Sequence, residues 1–184
     1  MRLRAQGWIL FLVAASIWGF TSGVSRATES EVAPSSLNDG YSIFYDFCDQ
    51  ESQLSLLLWF KTATPKISNY AKQISSTAKD DMAVLKKIGL SDGALRLDKV
   101  SLPSFEIEVR KSMADDRKRQ LIWGSSGDSF SHAIGMTQCE TTNYGMHVAK
   151  VLAESEPNPD RARTMRHIYE EWLALHAKAY ELSR

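Results

Sequence analysis

TPKISNYAKQISSTAKDDMAVLKKIG, residues 64–89, decides the fold class. Thr64 has the side chain of a helix N-cap, and Pro65 suits the first helical position, where its missing N–H is not needed. Ile67, Tyr70, Ile74, Ala78, Leu85 and Ile88 follow at spacings of three and four, the signature of one buried helix face. Gly89 and Gly93 end the run within GLSDG.

The same period extends outward. From Tyr41 to about Phe60, Phe44, Phe47, Leu54 and Leu58 form a stripe, which predicts a first helix. Residues 94–128 read two ways. Phe105, Val109 and Met113 have helical spacing, while Phe105 to Arg110 alternates as a strand would. With no second strand candidate for pairing, a short helix over about 104–122 is expected. A third long helix over about 129–154 carries Phe130, Ala133/Ile134, Thr137, Thr141, Tyr144, Val148 and Val151/Leu152. Glu156-Pro157-Asn158-Pro159-Asp160 then stops one helix and starts another, with Asn158 as cap and Asp160 placed to complement the helix dipole. Met165, Ile168, Trp172, Leu175, Ala179 and Leu182 complete the last stripe. Four long amphipathic helices with short or medium links predict an all-α, four-helix bundle over 41–184, with an extra short helix or long link between the second and third.

Polar residues on or beside these stripes are the candidates for chemistry. Glu51 falls between Phe47 and Leu54, and Asp81 between Ala78 and Leu85; His147 adjoins Val148 and His176 adjoins Leu175. Carboxylates and imidazoles facing a bundle interior are what a metal site there would use, with Fe, Mn or Zn as the ions in question. A long Glu can instead keep its stem buried and reach solvent, and structural roles compete with the metal reading throughout. A di-iron bundle would carry Glu-x-x-His on two helices, and the sequence holds only the reversed His167-Ile168-Tyr169-Glu170. G-x-S-x-G, H-E-x-x-H, C-x-x-C, Walker and dinucleotide motifs are all missing, so no catalytic set is selected and a non-enzymatic role is favoured. Trp59, Trp123 and Trp172 lie on stripes or near helix ends and read as core rather than as a ligand platform.

The N-terminus has its own logic. Arg2 and Arg4 precede Trp8–Phe20 (WILFLVAASIWGF), and Ser25-Arg26-Ala27 leaves small residues at the minus-three and minus-one positions. That is the layout of a secretory signal over 1–27, with an uncleaved anchor as the competing reading. The apolar run is short for a membrane span, which needs about 20 residues. Residues 28–40 (TESEVAPSSLNDG) read as a flexible leader.

Over 184 residues the chain carries 22 Lys+Arg and 22 Asp+Glu. Removing 1–27 takes away Arg2, Arg4 and Arg26 but no acid, leaving 157 residues with 19 bases against 22 acids. A mildly acidic domain argues against nucleic acid as partner, and Asp115-Asp116-Arg117-Lys118-Arg119 mixes signs as a solvated face does. Contact with a membrane surface or an envelope protein stays open, as does oligomeric state. An exported, periplasmic protein is expected, associated with the outer membrane or anchored by its N-terminus as variants of that reading. Cys48 and Cys139 are the only cysteines. In an oxidising compartment they can pair, closing a loop of about 90 residues worth about 4–5 kcal/mol on the chain-entropy account. Alternatively each is a small buried apolar residue.

The order of motifs resembles the bacterial exported domain-of-unknown-function family 4142, whose members are often labelled outer-membrane proteins. Pro65-x-Ile67-x-x-Tyr70-Ala71-x-x-Ile74, followed by Leu85, Ile88 and Gly93, looks like that family's N-P-x-V-x-x-F-A-x-x-M helix and its following glycine. Phe130-x-x-Ala133, Ala153 and Asn158-Pro159 look like its third helix and exit, Glu51 like the glutamate of its first helix, and His176 like its closing histidine if one residue is inserted. The resemblance covers about 44–182 and implies a ferritin-like arrangement of the bundle, with no known reaction. Where the family usually carries histidines on its second and third helices, this chain has Ala78 and Thr142, so half of any such ligand set is lost.

Overall fold

A computed structural model describes residues 32–93, 95–97, 102–123 and 127–184, with the backbone alone for 32–35. The signal reading of 1–27 lies outside these residues. The described chain is all-helical, with no strand. Five α-helices follow in order: α1 (Val32–Glu51), α2 (Pro65–Ser91), α3 (Ser104–Trp123), α4 (Gly127–Ser155) and α5 (Pro159–Leu182), with a 3-10 turn at Leu54–Trp59 between α1 and α2. None of them is long and apolar enough to cross a membrane.

Local chemistry sets the boundaries much as the sequence predicts. The Thr64 hydroxyl accepts the Ile67 N–H at 3.4 Å with Pro65 behind it, and the Asn158 carbonyl oxygen accepts the Asp160 and Arg161 N–H groups at 3.0 and 3.2 Å. Both caps satisfy donors that no helical turn precedes. Residues 104–123 are helical, so the helical spacing outweighs the strand-like alternation at 105–110.

Two expectations need correction. The first helix begins at Val32 rather than Tyr41, which makes most of the supposed leader helical. Asn38 explains how: its side chain accepts the Arg96 N–H, while Leu37 packs on the core, so this turn is tied down from outside the helix. The helix also stops at Glu51, and the chain tightens into the 3-10 turn over 54–59 instead of continuing to Phe60.

One core joins α1, α2, α4 and α5. Tyr41, Phe44, Ile74, Leu85, Phe130, Ile134, Met165 and Trp172 are its large, fully buried members. Phe47 stands 4.6 Å from the Trp172 ring and 5.6 Å from Phe44, and Trp172 meets Phe44 edge-on at 6.4 Å. The glycines of α4 permit this packing. A Cβ at Gly145 would run into the Phe47 ring, and one at Gly135 would stand 2.9 Å from the Leu182 carbonyl oxygen. The helix α3 packs differently: Leu121 is its one buried residue, and Phe105, Met113 and Trp123 face solvent.

Candidate functional site

The four residues selected from the stripes do not form one centre. Glu51 and Asp81 are buried, His176 is half-buried and His147 is exposed. Among the described residues no three His, Cys, Asp or Glu side chains come together as a metal ion would require. The stripe positions were read correctly for the two carboxyls, but each has found an organic partner.

Asp81 of α2 accepts the indole N–H of Trp172 on α5 at 2.7 Å. Burial, only partly offset by that bond, pushes its carboxyl up to about 7, helped by the nearby Glu171 and Asp80 charges. Glu51 accepts the Gln138 side-chain N–H at 2.9 Å. Burial raises its carboxyl too, against the lowering effects of Gln138 and the Arg117 charge. The network continues across α4: the Thr142 hydroxyl donates to the Gln138 backbone carbonyl, and His176 Nδ1 lies 3.2 Å from the same hydroxyl oxygen. Glu51 and His176 therefore share a polar network through Gln138 and Thr142, with two residues interposed rather than a metal. Gln138 Oε1 is buried without a hydrogen-bond partner.

Cys48 and Cys139 are not bonded to each other. Cys48 is fully buried in the core, and burial together with the Asp81, Glu51 and Asp49 charges raises its thiol well above the usual value. Cys139 is only partly buried on α4. Cys48 is the small buried apolar residue of the alternative expectation, and Cys139 packs against the core only in part.

Sequence reasoning missed a third polar cluster, where α4 turns into α5. Glu156 was read only as part of the helix break. Its carboxylate accepts the Tyr41 hydroxyl at 2.7 Å and the Asn158 N–H at 3.0 Å, and pairs with Arg161 at 2.8 Å. Arg161 also bridges to Asp92 after α2. Burial opposes the charge on Glu156, but these donors outweigh it and hold the carboxyl below its ordinary value. Nothing in the local sequence announces the Tyr41 partner, which lies 115 residues away.

A groove of about 410 Å³ lies elsewhere, between α1, α3 and α4. Ile43 and Phe47 of α1, Ile107 and Ala114 of α3 and Tyr144 of α4 give it an apolar lining. Phe47 and Tyr144 stand 6.2 Å apart edge-on, so the wall continues the core's aromatic stack. Polar groups gather on the α3 side. Arg110 lies over the Tyr144 ring at 5.5 Å and bonds Glu106 at 2.7 Å. Arg117 donates to the Thr141 hydroxyl at 3.1 Å, with the Glu140 carboxylate at 4.0 Å. On the opposite wall Asp46 accepts from Gln50, and burial raises its carboxyl. The arrangement offers apolar contact area with a guanidinium at its edge.

Compared with family models, curated proteins and solved structures, the chain matches none.

Proposed function

We propose that this chain is an exported, periplasmic helical-bundle protein with a non-enzymatic binding role, holding a small amphipathic molecule in the groove between α1, α3 and α4. The observation that carries this reading is the groove's chemistry: an aromatic and aliphatic wall beside Arg117, which bonds the neutral Thr141 hydroxyl at 3.1 Å with the Glu140 carboxylate farther off at 4.0 Å. An anionic head with a short apolar tail is the matching ligand class. Export is supported by the residue pattern of 1–27 and an envelope stress role is compatible with it. The ferritin-like four-helix architecture and kinship with family 4142 are supported by the ordered motifs from Glu51 to His176, with α3 as the inserted element.

Isothermal titration with dodecanoate tests the groove, with dodecyltrimethylammonium as the cationic control. One-site binding of dodecanoate is expected, abolished by Ala114→Trp, which fills the groove, and weakened by Arg117→Ala. Binding of neither probe, or binding indifferent to both substitutions, overturns the reading. The rival, a degenerate ferritin-like metal binder using Glu51, Asp81, His147 and His176, takes its place if periplasm-purified protein carries stoichiometric Fe, Mn or Zn that Glu51→Ala removes.

A further inference from the structure

Trp59 and Trp123, which the sequence reads as core, are found in solvent together with Phe60: Trp59 is 74% exposed, Phe60 56% and Trp123 80%. They share one end of the bundle. Trp59 and Phe60 close the 3-10 turn just before Thr64, and the Thr64 N–H donates to the Ser131 hydroxyl at the start of α4. Trp123 ends α3 four residues before Gly127, where α4 begins, and the Arg117–Thr141 bond holds the C-terminal half of α3 beside the middle of α4. The end of α5 arrives at the same place, since the Leu182 carbonyl crowds Gly135.

This end is also cationic, in a chain whose bases and acids balance. Around the exposed rings, residues 58–66, 115–130 and 180–184 hold six bases against four acids, with Arg119 paired to Asp116 at 3.1 Å. The bases are Lys61, Lys66, Arg117, Lys118, Arg119 and Arg184, and the acids are Asp115, Asp116, Asp128 and Glu181. Indole rings surrounded by Lys and Arg suit the boundary of an anionic bilayer, where the ring sits among headgroups and each nearby base is drawn to the negative surface.

We infer that this end of the bundle docks on an anionic phospholipid surface through Trp59, Phe60 and Trp123, with Lys61, Lys66 and Arg119 supplying the attraction. The inference is independent of the groove, which lies along the side of α3.

Vesicle flotation of the purified full chain tests it, using phosphatidylcholine alone and phosphatidylcholine with about one part in four phosphatidylglycerol. The protein is expected to float with the anionic vesicles and to be released by high salt. Trp59→Ser/Trp123→Ser and Lys61→Glu/Lys66→Glu/Arg119→Glu are each expected to weaken partition about tenfold or more. All five side chains lie at the surface or its edge, and unchanged thermal melting of both variants confirms intact folding. No flotation, flotation equal on neutral and anionic vesicles, or flotation that both variants retain overturns the inference. So does a dimer in light scattering that the double tryptophan variant abolishes while vesicle binding is absent, which would make the patch an interface between copies.

Discussion

The α4–α5 hairpin and α3 lie side by side and are built by opposite means. The hairpin is long and buries many side chains, and it is stitched at its turn by Glu156, Arg161 and the Asn158 cap. The helix α3 buries Leu121 alone and draws on pairs within its own turns, Glu106 with Arg110 and Asp116 with Arg119. Exposed pairs of this kind contribute a few tenths of a kcal/mol each. The difference separates scaffold from cover: α4 and α5 hold the core, while α3 adds one wall to a groove whose other walls stand without it. Substitutions in the two regions should therefore differ by an order of magnitude in effect.

Trp172→Ala should have the largest effect. It empties the centre of the stack with Phe44 and Phe47 and leaves the buried Asp81 carboxyl without its donor. A loss of about 4–5 kcal/mol is expected in urea unfolding, near the limit of what a domain of this size can survive.

The same pair gives a pH dependence. With its carboxyl raised from 3.8 to about 7, folded Asp81 keeps a proton that the unfolded chain has already released. The folded state is thus favoured fully below about pH 4 and loses that advantage as pH rises to about 7. Asp81→Asn keeps an acceptor for Trp172 but cannot ionise. It should raise stability at pH 8 by on the order of 3 kcal/mol, change little at pH 4, and flatten the slope between them. A wild-type slope retained in the variant would place the titration elsewhere, with Glu51 the next group to test by Glu51→Gln.

Gly145→Ala probes the scaffold from the backbone side. Alanine is the better helix former by about 1 kcal/mol, yet its methyl group would strike the Phe47 ring, and that ring is fixed by Phe44 and Trp172. Overpacking should win, with a net loss of about 2 kcal/mol in urea unfolding. A gain in stability would mean that the aromatic stack yields more easily than its geometry indicates.

How far the sequence could be read follows the same division. Caps and prolines at Thr64-Pro65 and Asn158-Pro159 act on their immediate neighbours, so the starts of α2 and α5 were legible. The last stripe was read correctly at Met165, Ile168, Trp172, Leu175 and Ala179, because apolar residues fill the whole buried face. On α4 the buried face runs through Gln138, Thr142 and Gly145, whereas Val151 and Tyr144 are exposed. The stripe holds at Phe130, Ile134, Thr141 and Leu152, but glycine and glutamine give little hydrophobic signal, so it misses Gln138 and Gly145 and takes in the exposed Tyr144. The burial of Glu51 and Asp81 was legible from their places among Phe47, Leu54, Ala78 and Leu85. Their partners were not, since Gln138 and Trp172 lie 87 and 91 residues away and spacing says nothing about which helix a face meets.

The spacing of Phe105, Val109 and Met113 is rightly helical but carries no information on burial. Helical spacing shows that three residues share a face, but burial depends on whether another element covers it, and here Phe105 is 78% exposed. Phe105→Ser should accordingly change global stability by less than about 0.5 kcal/mol, whereas a core phenylalanine such as Phe44 would cost several kcal/mol on truncation. Hydrogen exchange checks the wider point. Amides of α3 should exchange well before those of α4 and α5, through local opening that leaves the hairpin closed. If α3 amides instead exchange only with global unfolding, then α3 is part of the scaffold, and Leu121 with its flanking turns contributes more than one buried side chain and a set of exposed ion pairs can explain.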